Sequence, residues 1–260
     1  QKPDKTSLKS ITPELLQQYI GFLASDELLG RNTPSSGLDT AATYIARHFR
    51  SNSLSPVNGS YFQNFPLCKT DLDTGCFLRV VKDGVVTSIP LKTGFVPYFL
   101  TNSKEFTGKV VFAGYGITAP EYGYDDYAGI DVKGSAVLVF RHEPCENDSG
   151  TFFEGQEPTK YSGIRSKAMT AITAGAGAMM VVTEPGNYAS LKPKGFLWPS
   201  LAKSLPADAT PYTLCDDAED DIPGLQVGED VVKALFGTID NLRMLQKTID
   251  STHKPNSFVI

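Results

Sequence analysis

The hydrophobic period of this chain changes twice, and those changes limit its fold more than any single motif does. Up to about residue 65, apolar residues recur three and four apart, as on one face of a helix. From 66 to about 230 they alternate, or run in short apolar blocks bounded by Gly, Pro and Asp, which suits strands and turns. Helical spacing returns from 231 to 260. The pattern predicts an α+β fold with a helical segment at 1–65, a strand-rich domain at 66–230 and a second helical segment at 231–260.

Local signals sharpen the boundaries. Thr12 is a good N-cap, Pro13 suits the first helical position and Glu14 the positive helix end. Leu15, Leu16, Tyr19, Ile20 and Leu23 then share a stripe, and the helix is expected to end near Ser25. After a loop from Gly30 to Gly37, Leu38, Ala41, Ala42, Ile45 and Phe49 mark a second helix that stops near Ser51. Phe77–Val81 and Val85–Ile89 flank Asp83-Gly84, a pair that supplies the positive φ angles of a tight hairpin. Ser135–Phe140, Ile164–Thr173 and Ala178–Val182 read as strand, helix, strand, with Gly175 stopping the helix. Their continuous apolar strands predict a parallel pair joined by a crossover. Lys109–Ala113 and Leu225–Val227 are further strands, the latter read as the last, and Gly237 is expected to split the helical tail.

Charge and hydropathy exclude several function classes. The net charge of −5 comes with no basic run, so the clustered cations that a phosphate backbone requires are missing. No apolar run approaches the roughly 20 residues of a membrane span. Cys68, Cys76, Cys145 and Cys215 form no zinc-type pair. A bridge closing the polar loop between Cys68 and Cys76, and four free thiols, are both open. Asn58-Gly59-Ser60 and Asn147-Asp148-Ser149 match the glycosylation sequon, a match short enough to arise by chance.

Catalytic constellations are thin. The three histidines, His48, His142 and His253, stand apart in sequence, and neither His-Glu-x-x-His nor His-x-Asp occurs. They read as structural or solvated residues, so no catalytic or metal-ligating residue is assigned. No Gly-x-Ser-x-Gly elbow occurs, and Gly114-Tyr115-Gly116 reads as a bend at a strand end rather than part of a dinucleotide fingerprint. The acidic run Asp216–Asp221 lacks the spacing of a calcium loop and reads as a solvated face. Tyr115, Tyr122, Tyr124, Asp126 and Tyr127 form a Tyr- and Asp-rich loop. It is a candidate substrate or partner surface, or else a tyrosine lid over a small core, the commoner use of such clusters.

One family becomes visible in the text itself. Phe22-Leu23-Ala24-Ser25-Asp26-Glu27-Leu28-Leu29-Gly30-Arg31, then Ser36-Gly37, Ala41-Ala42, Tyr44-Ile45, Phe49 and Tyr61-Phe62-Gln63-Asn64-Phe65, resembles the N-terminal region of M28-family zinc aminopeptidases, with Asp26, Gly30 and Arg31 as motif residues. Residues 66–230 resemble the protease-associated (PA) insert of such enzymes, through Phe112-Ala113-Gly114-Tyr115-Gly116-Ile117, Tyr124-Asp125-Asp126-Tyr127 and Asp131-Val132-Lys133-Gly134. His253-Lys254-Pro255-Asn256-Ser257-Phe258 resembles the end of the helical return toward the catalytic domain. The resemblance implies a β-sandwich- or β-barrel-like insert with flanking helices. It also implies a periplasmic or secreted parent with two zinc ions, whose ligands would lie beyond this text. The chain is then expected to be a non-catalytic fragment without a cofactor, whose insert shapes substrate access for a catalytic domain and peptide substrates. The alternative is a free-standing interaction module.

Overall fold

A computed structural model describes residues 11–69, 71–72, 75–98, 105–148, 150, 152–193, 212–215 and 222–260. The acidic run at 216–221 lies outside the described residues, as does Ser149 of the second sequon. The chain divides into two compact units, one formed by 1–70 with 210–216 and the other by 71–209 with 217–260.

In the first unit, helix α1 (Pro13–Leu23) begins as its sequence dictates, with Thr12 Oγ1 accepting from the Leu15 N–H at 3.2 Å. A 3₁₀ turn over Asp26–Arg31 follows, with Leu29, Gly30 and Arg31 at positive φ. Helix α2 (Ser36–Ser51) is capped by Ser35, whose Oγ accepts from the Leu38 N–H at 3.1 Å. The helices meet through aromatic rings. Phe22 and Tyr44 have centroids 4.2 Å apart, and His48 lies 4.7 Å from Tyr19 and 4.4 Å from Tyr44. His48 is thus a packing residue. Asp26, Gly30 and Arg31 are exposed; the buried member of that turn is Leu28.

Leu28 explains Gly37. A Cβ at Gly37 would stand 2.0 Å from the Leu28 carbonyl oxygen and 2.7 Å from its carbon, both backbone atoms with little room to retreat. Gly37→Ala is expected to destabilise this unit by about 2 kcal/mol, as overpacking does. Hydrogen exchange should show faster opening of the α2 amides; unchanged protection would refute the contact.

Strand β1 (Leu67–Lys69) closes the unit against residues far along the chain, its partner Tyr212–Leu214 pairing antiparallel with Leu67 opposite Leu214. The next residue, Cys215, bonds to Cys68, with Cα atoms 5.1 Å apart. This corrects both cysteine readings. Cys68 is bridged, and its partner is Cys215 rather than Cys76, because strand pairing outweighs nearness in sequence.

The second unit opens with the hairpin of β2 (Leu78–Lys82) and β3 (Val85–Ile89), turned by Asp83 at φ 50° and Gly84 at φ 76°. The remaining strands are β4 (Phe95–Pro97), β5 (Val110–Ala113), β6 (Thr118–Ala119), β7 (Tyr124–Asp125), β8 (Ala136–Phe140), β9 (Ala178–Val182), β11 (Gly224–Val227) and β12 (Ser257–Val259), with β10 being Tyr212–Leu214 of the first unit. Six of them make one sheet in the order β12-β5-β8-β9-β11-β4. The four central strands are parallel and the two edges antiparallel. Helix α3 (Ile164–Thr173) supplies the predicted crossover from β8 to β9. Helices α4 (Glu229–Phe236) and α5 (Ile239–Thr252) are separated by Gly237 at φ 81°, as expected.

The sheet is buried on both faces, and its strands divide their side chains by strict alternation. Phe112, Ala136, Leu138, Phe140, Ala178, Met180 and Val182 join one core with Val231, Val232, Leu235, Leu242 and Ile249 of α4 and α5. Val111, Ala113, Val137, Val139, Met179 and Val181 join the other with Ala171 of α3. The mixture of helix and strand agrees with the expected α+β class. The expected barrel or sandwich closure is absent: among the described residues no sheet closes, and the large sheet ends in two edges. Helix α3, the crossover from β8 to β9, packs on one face and helices α4 and α5 on the other, where a second sheet would otherwise lie. Leu225–Val227 is likewise not the last strand, since Ser257–Val259 pairs with β5.

Candidate functional site

The parallel strands β5, β8 and β9 end together, and the segments leaving them at 114–117, 141–146 and 184–188 carry a dense set of polar side chains. Carboxyl ends of parallel strands are where open sheets place ligands, because the departing loops diverge there.

Asp126 anchors the first segment. It is fully buried, and its Oδ2 accepts from the backbone N–H groups of Tyr115 at 2.9 Å and Ile117 at 3.1 Å, while Oδ1 accepts from the Tyr124 hydroxyl at 2.8 Å. Burial pushes its pKa up to about 7 despite those donors. Gly114 is required by this approach: it sits at φ 48°, and a Cβ there would lie 2.1 Å from Asp126 Oδ1. The Tyr115 hydroxyl donates to Asp250 Oδ1 on α5 at 2.7 Å, and burial raises the Asp250 carboxyl, with Tyr115 among the donors that oppose the rise.

Tyr115, Tyr124 and Asp126 were candidates for a contact surface, and the structure corrects that. All three are buried at 1% exposure or less, while Tyr122 and Tyr127 are half-buried. Tyr122 stacks on Phe153 at 4.5 Å and donates to Glu154 at 3.0 Å. Tyrosine's apolar ring is used here for core packing, with the hydroxyls of Tyr115 and Tyr124 hydrogen-bonded inside.

Lys167 on α3 is fully buried and donates from Nζ to the carbonyls of Tyr115 and His142. Burial lowers its pKa to about 8, opposed by the nearby Glu184, Asp126 and Glu143 charges. Glu184, also fully buried, accepts at Oε1 from the His142 backbone N–H at 2.6 Å and faces His142 Nδ1 with Oε2 at 2.8 Å. Glu146 Oε2 stands 3.4 Å from that nitrogen. Glu146 is held in turn by the Tyr188 hydroxyl at 2.7 Å and by Asn187 Nδ2 at 3.3 Å. Two of these residues are signalled in sequence only by a His-x-x-x-Glu spacing in a loop, and the third lies on another segment.

Beside this set a hollow of about 300 Å³ is lined by Tyr122, Cys145, Asp148, Phe152 and His253. Its thiol is no ready nucleophile. Burial pushes Cys145 up to about 11, and the sulfur donates to the Asp250 carbonyl at 3.3 Å. His253 lies flat on Phe152, centroids 4.2 Å apart.

No family model matches this chain, and no curated protein does. Among solved structures it is similar to the aminopeptidase from Aneurinibacillus sp. strain AM-1, at 14% identity with a TM-score of 0.36 over 95% of this chain and 45% of that one. A superposition at that score defines no shared fold. This chain spans less than half the length of that protein.

Among the described residues, the donors do not fit the two zinc ions that the M28 resemblance implies. His142, Glu146 and Glu184 bring one imidazole and two carboxylates to a single point, and His48 is enclosed between Tyr19 and Tyr44. Those donors could hold at most one ion, not a pair.

Proposed function

We propose that this chain is the N-terminal segment and PA-type insert of a secreted or periplasmic M28-type aminopeptidase, without peptidase activity by itself. In the parent, the insert shapes the access of peptides to a catalytic domain that carries two zinc ions. The observation that carries this reading is the state of the helices flanking the motif Ala24–Arg31. Helix α1 buries none of its residues; Leu16 and Ile20 on α1, and Ile45 and Phe49 on α2, remain exposed. Amphipathic helices are stabilised chiefly by covering their apolar face, so these two are suited to pack against a larger body. The Cys68–Cys215 bridge supports an oxidising compartment. The placement of residues 1–65, 66–230 and 231–260 as segment, insert and return belongs to the same reading.

The free-standing module is the weaker reading, because the loop it would use buries Tyr115, Tyr124 and Asp126. Aminoacyl-nitroanilide assays with added zinc separate the readings. The 260-residue chain should show no turnover, whereas a longer natural chain containing it should be active and should slow hydrogen exchange over 13–23. Turnover by the 260-residue chain alone would sink the proposal.

A further inference from the structure

We propose that His142, Glu146 and Glu184 bind one divalent transition-metal ion of the zinc class, which clamps the segment after β8 to the segment after β9. The donor atoms of the three side chains lie within 4.8 Å of one another. Both carboxylates direct Oε2 at the same imidazole nitrogen, at 2.8 Å from Glu184 and 3.4 Å from Glu146. A single proton on Nδ1 can bond well to only one of those oxygens, whereas a cation among the three atoms is shared by all of them.

The surroundings orient the donors as second-shell groups orient metal ligands. Glu184 Oε1 is taken by the His142 backbone N–H, and Glu146 Oε1 by the Tyr188 hydroxyl, which leaves Oε2 of each for the shared point. Asn187 Nδ2 also reaches Glu146 Oε2, at 3.3 Å. The Tyr188 ring stacks on His142 with centroids 5.2 Å apart and fixes the plane of the imidazole. Charge points the same way. The Glu184 side chain has no exposure, and Lys167, which acts on it as a charge from α3, gives its hydrogen bonds to the Tyr115 and His142 carbonyls and so leaves Glu184 Oε2 open to a further cation.

Access remains, since the His142 and Glu146 side chains are 27% and 23% exposed. An open side gives the ion an entry path and room for water in its remaining positions. One imidazole with two carboxylates suits Zn²⁺ better than Mg²⁺ or Ca²⁺, which prefer oxygen alone. The inference is independent of the aminopeptidase reading, because it concerns other residues and one ion.

The rival occupant is a proton, making His142 an imidazolium paired to two carboxylates. Chelator-treated protein titrated with ZnCl₂ in a calorimeter decides between them. One equivalent should bind, with a rise in melting temperature, and Co²⁺ should give visible d–d bands. Glu146→Gln, at the exposed rim, and His142→Asn should each weaken Zn²⁺ binding by about 100-fold. His48→Ala and His253→Ala should leave it intact. Absence of saturable uptake, or uptake unchanged in both ligand variants, overturns the proposal. Should those variants fail to fold, ¹⁵N resonances of the wild-type His142 ring decide: a zinc-dependent shift of Nδ1 supports the site, and a ring doubly protonated and indifferent to zinc overturns it.

Discussion

Asp126→Ala is expected to lower the stability of the second unit by about 5 kcal/mol, enough to leave a marginal domain substantially unfolded. The side chain satisfies two backbone N–H groups and one tyrosine hydroxyl in a site without solvent. Alanine removes all three acceptor contacts at once, and each orphaned donor costs about 1–3 kcal/mol. Asp126→Asn is expected to be mild, because its amide oxygen can take the Oδ2 position and keep both N–H bonds while the NH₂ group faces the Tyr124 hydroxyl. The pH dependence follows from the raised carboxyl. Its pKa is about 7 when folded and 3.8 as the ordinary reference, so between those values the folded state holds a proton that the unfolded chain has lost. Stability contributed by this group is therefore full below the reference value and falls as pH rises to 7, by about 4 kcal/mol. Denaturant midpoints at constant ionic strength should decline over that window in the wild type and less in Asp126→Asn. A wild-type profile that rises relative to the variant would mean that the three donors, not burial, govern the carboxyl.

What could be read from sequence was whatever is decided locally. Thr12 and Ser35 carry the cap chemistry of their helices on the spot, Asp83-Gly84 fixes its turn within four residues, and Gly237 breaks its helix wherever the rest of the chain goes. The β8–α3–β9 unit was legible for a related reason: apolar blocks flanking a short helix admit few arrangements besides a parallel pair. Pairings over long separations were not legible. Nothing near Cys68 signals Cys215, which is 147 positions away, and Ser257–Val259 looks like polar tail until β5 offers it an edge. Asp126 resembles a solvated loop residue because its partners are mostly backbone N–H groups, which sequence does not distinguish. The candidate site shares that defect. His142 and Glu146 are neighbours, but Glu184 arrives from the end of another strand.

Lys167 poses the reverse electrostatic problem, and Lys167→Ala is expected to cost a further large amount, about 4 kcal/mol. An ammonium group in a fully buried position has lost its hydration, which is why its pKa falls to about 8. Two carbonyls accept from it, those of Tyr115 and His142, and these residues follow β5 and β8. From α3, one side chain therefore ties together the ends of two adjacent parallel strands. Truncation leaves both carbonyls short of a donor, opens a cavity the length of the lysine stem, and removes the positive charge that Glu184, Asp126 and Glu143 favour. Lys167→Met isolates the polar part, since it fills most of the stem's volume without the charge. If packing alone mattered, methionine would restore wild-type stability. The geometry instead predicts that it recovers only the cavity portion and remains about 2–3 kcal/mol less stable than wild type, because two buried acceptors still lack their donor and the Glu184 and Glu143 carboxylates their cation. Full recovery in Lys167→Met, measured by chemical denaturation at pH 7, would show that the ammonium is merely tolerated there and that the strand ends are held by the apolar cores on either face.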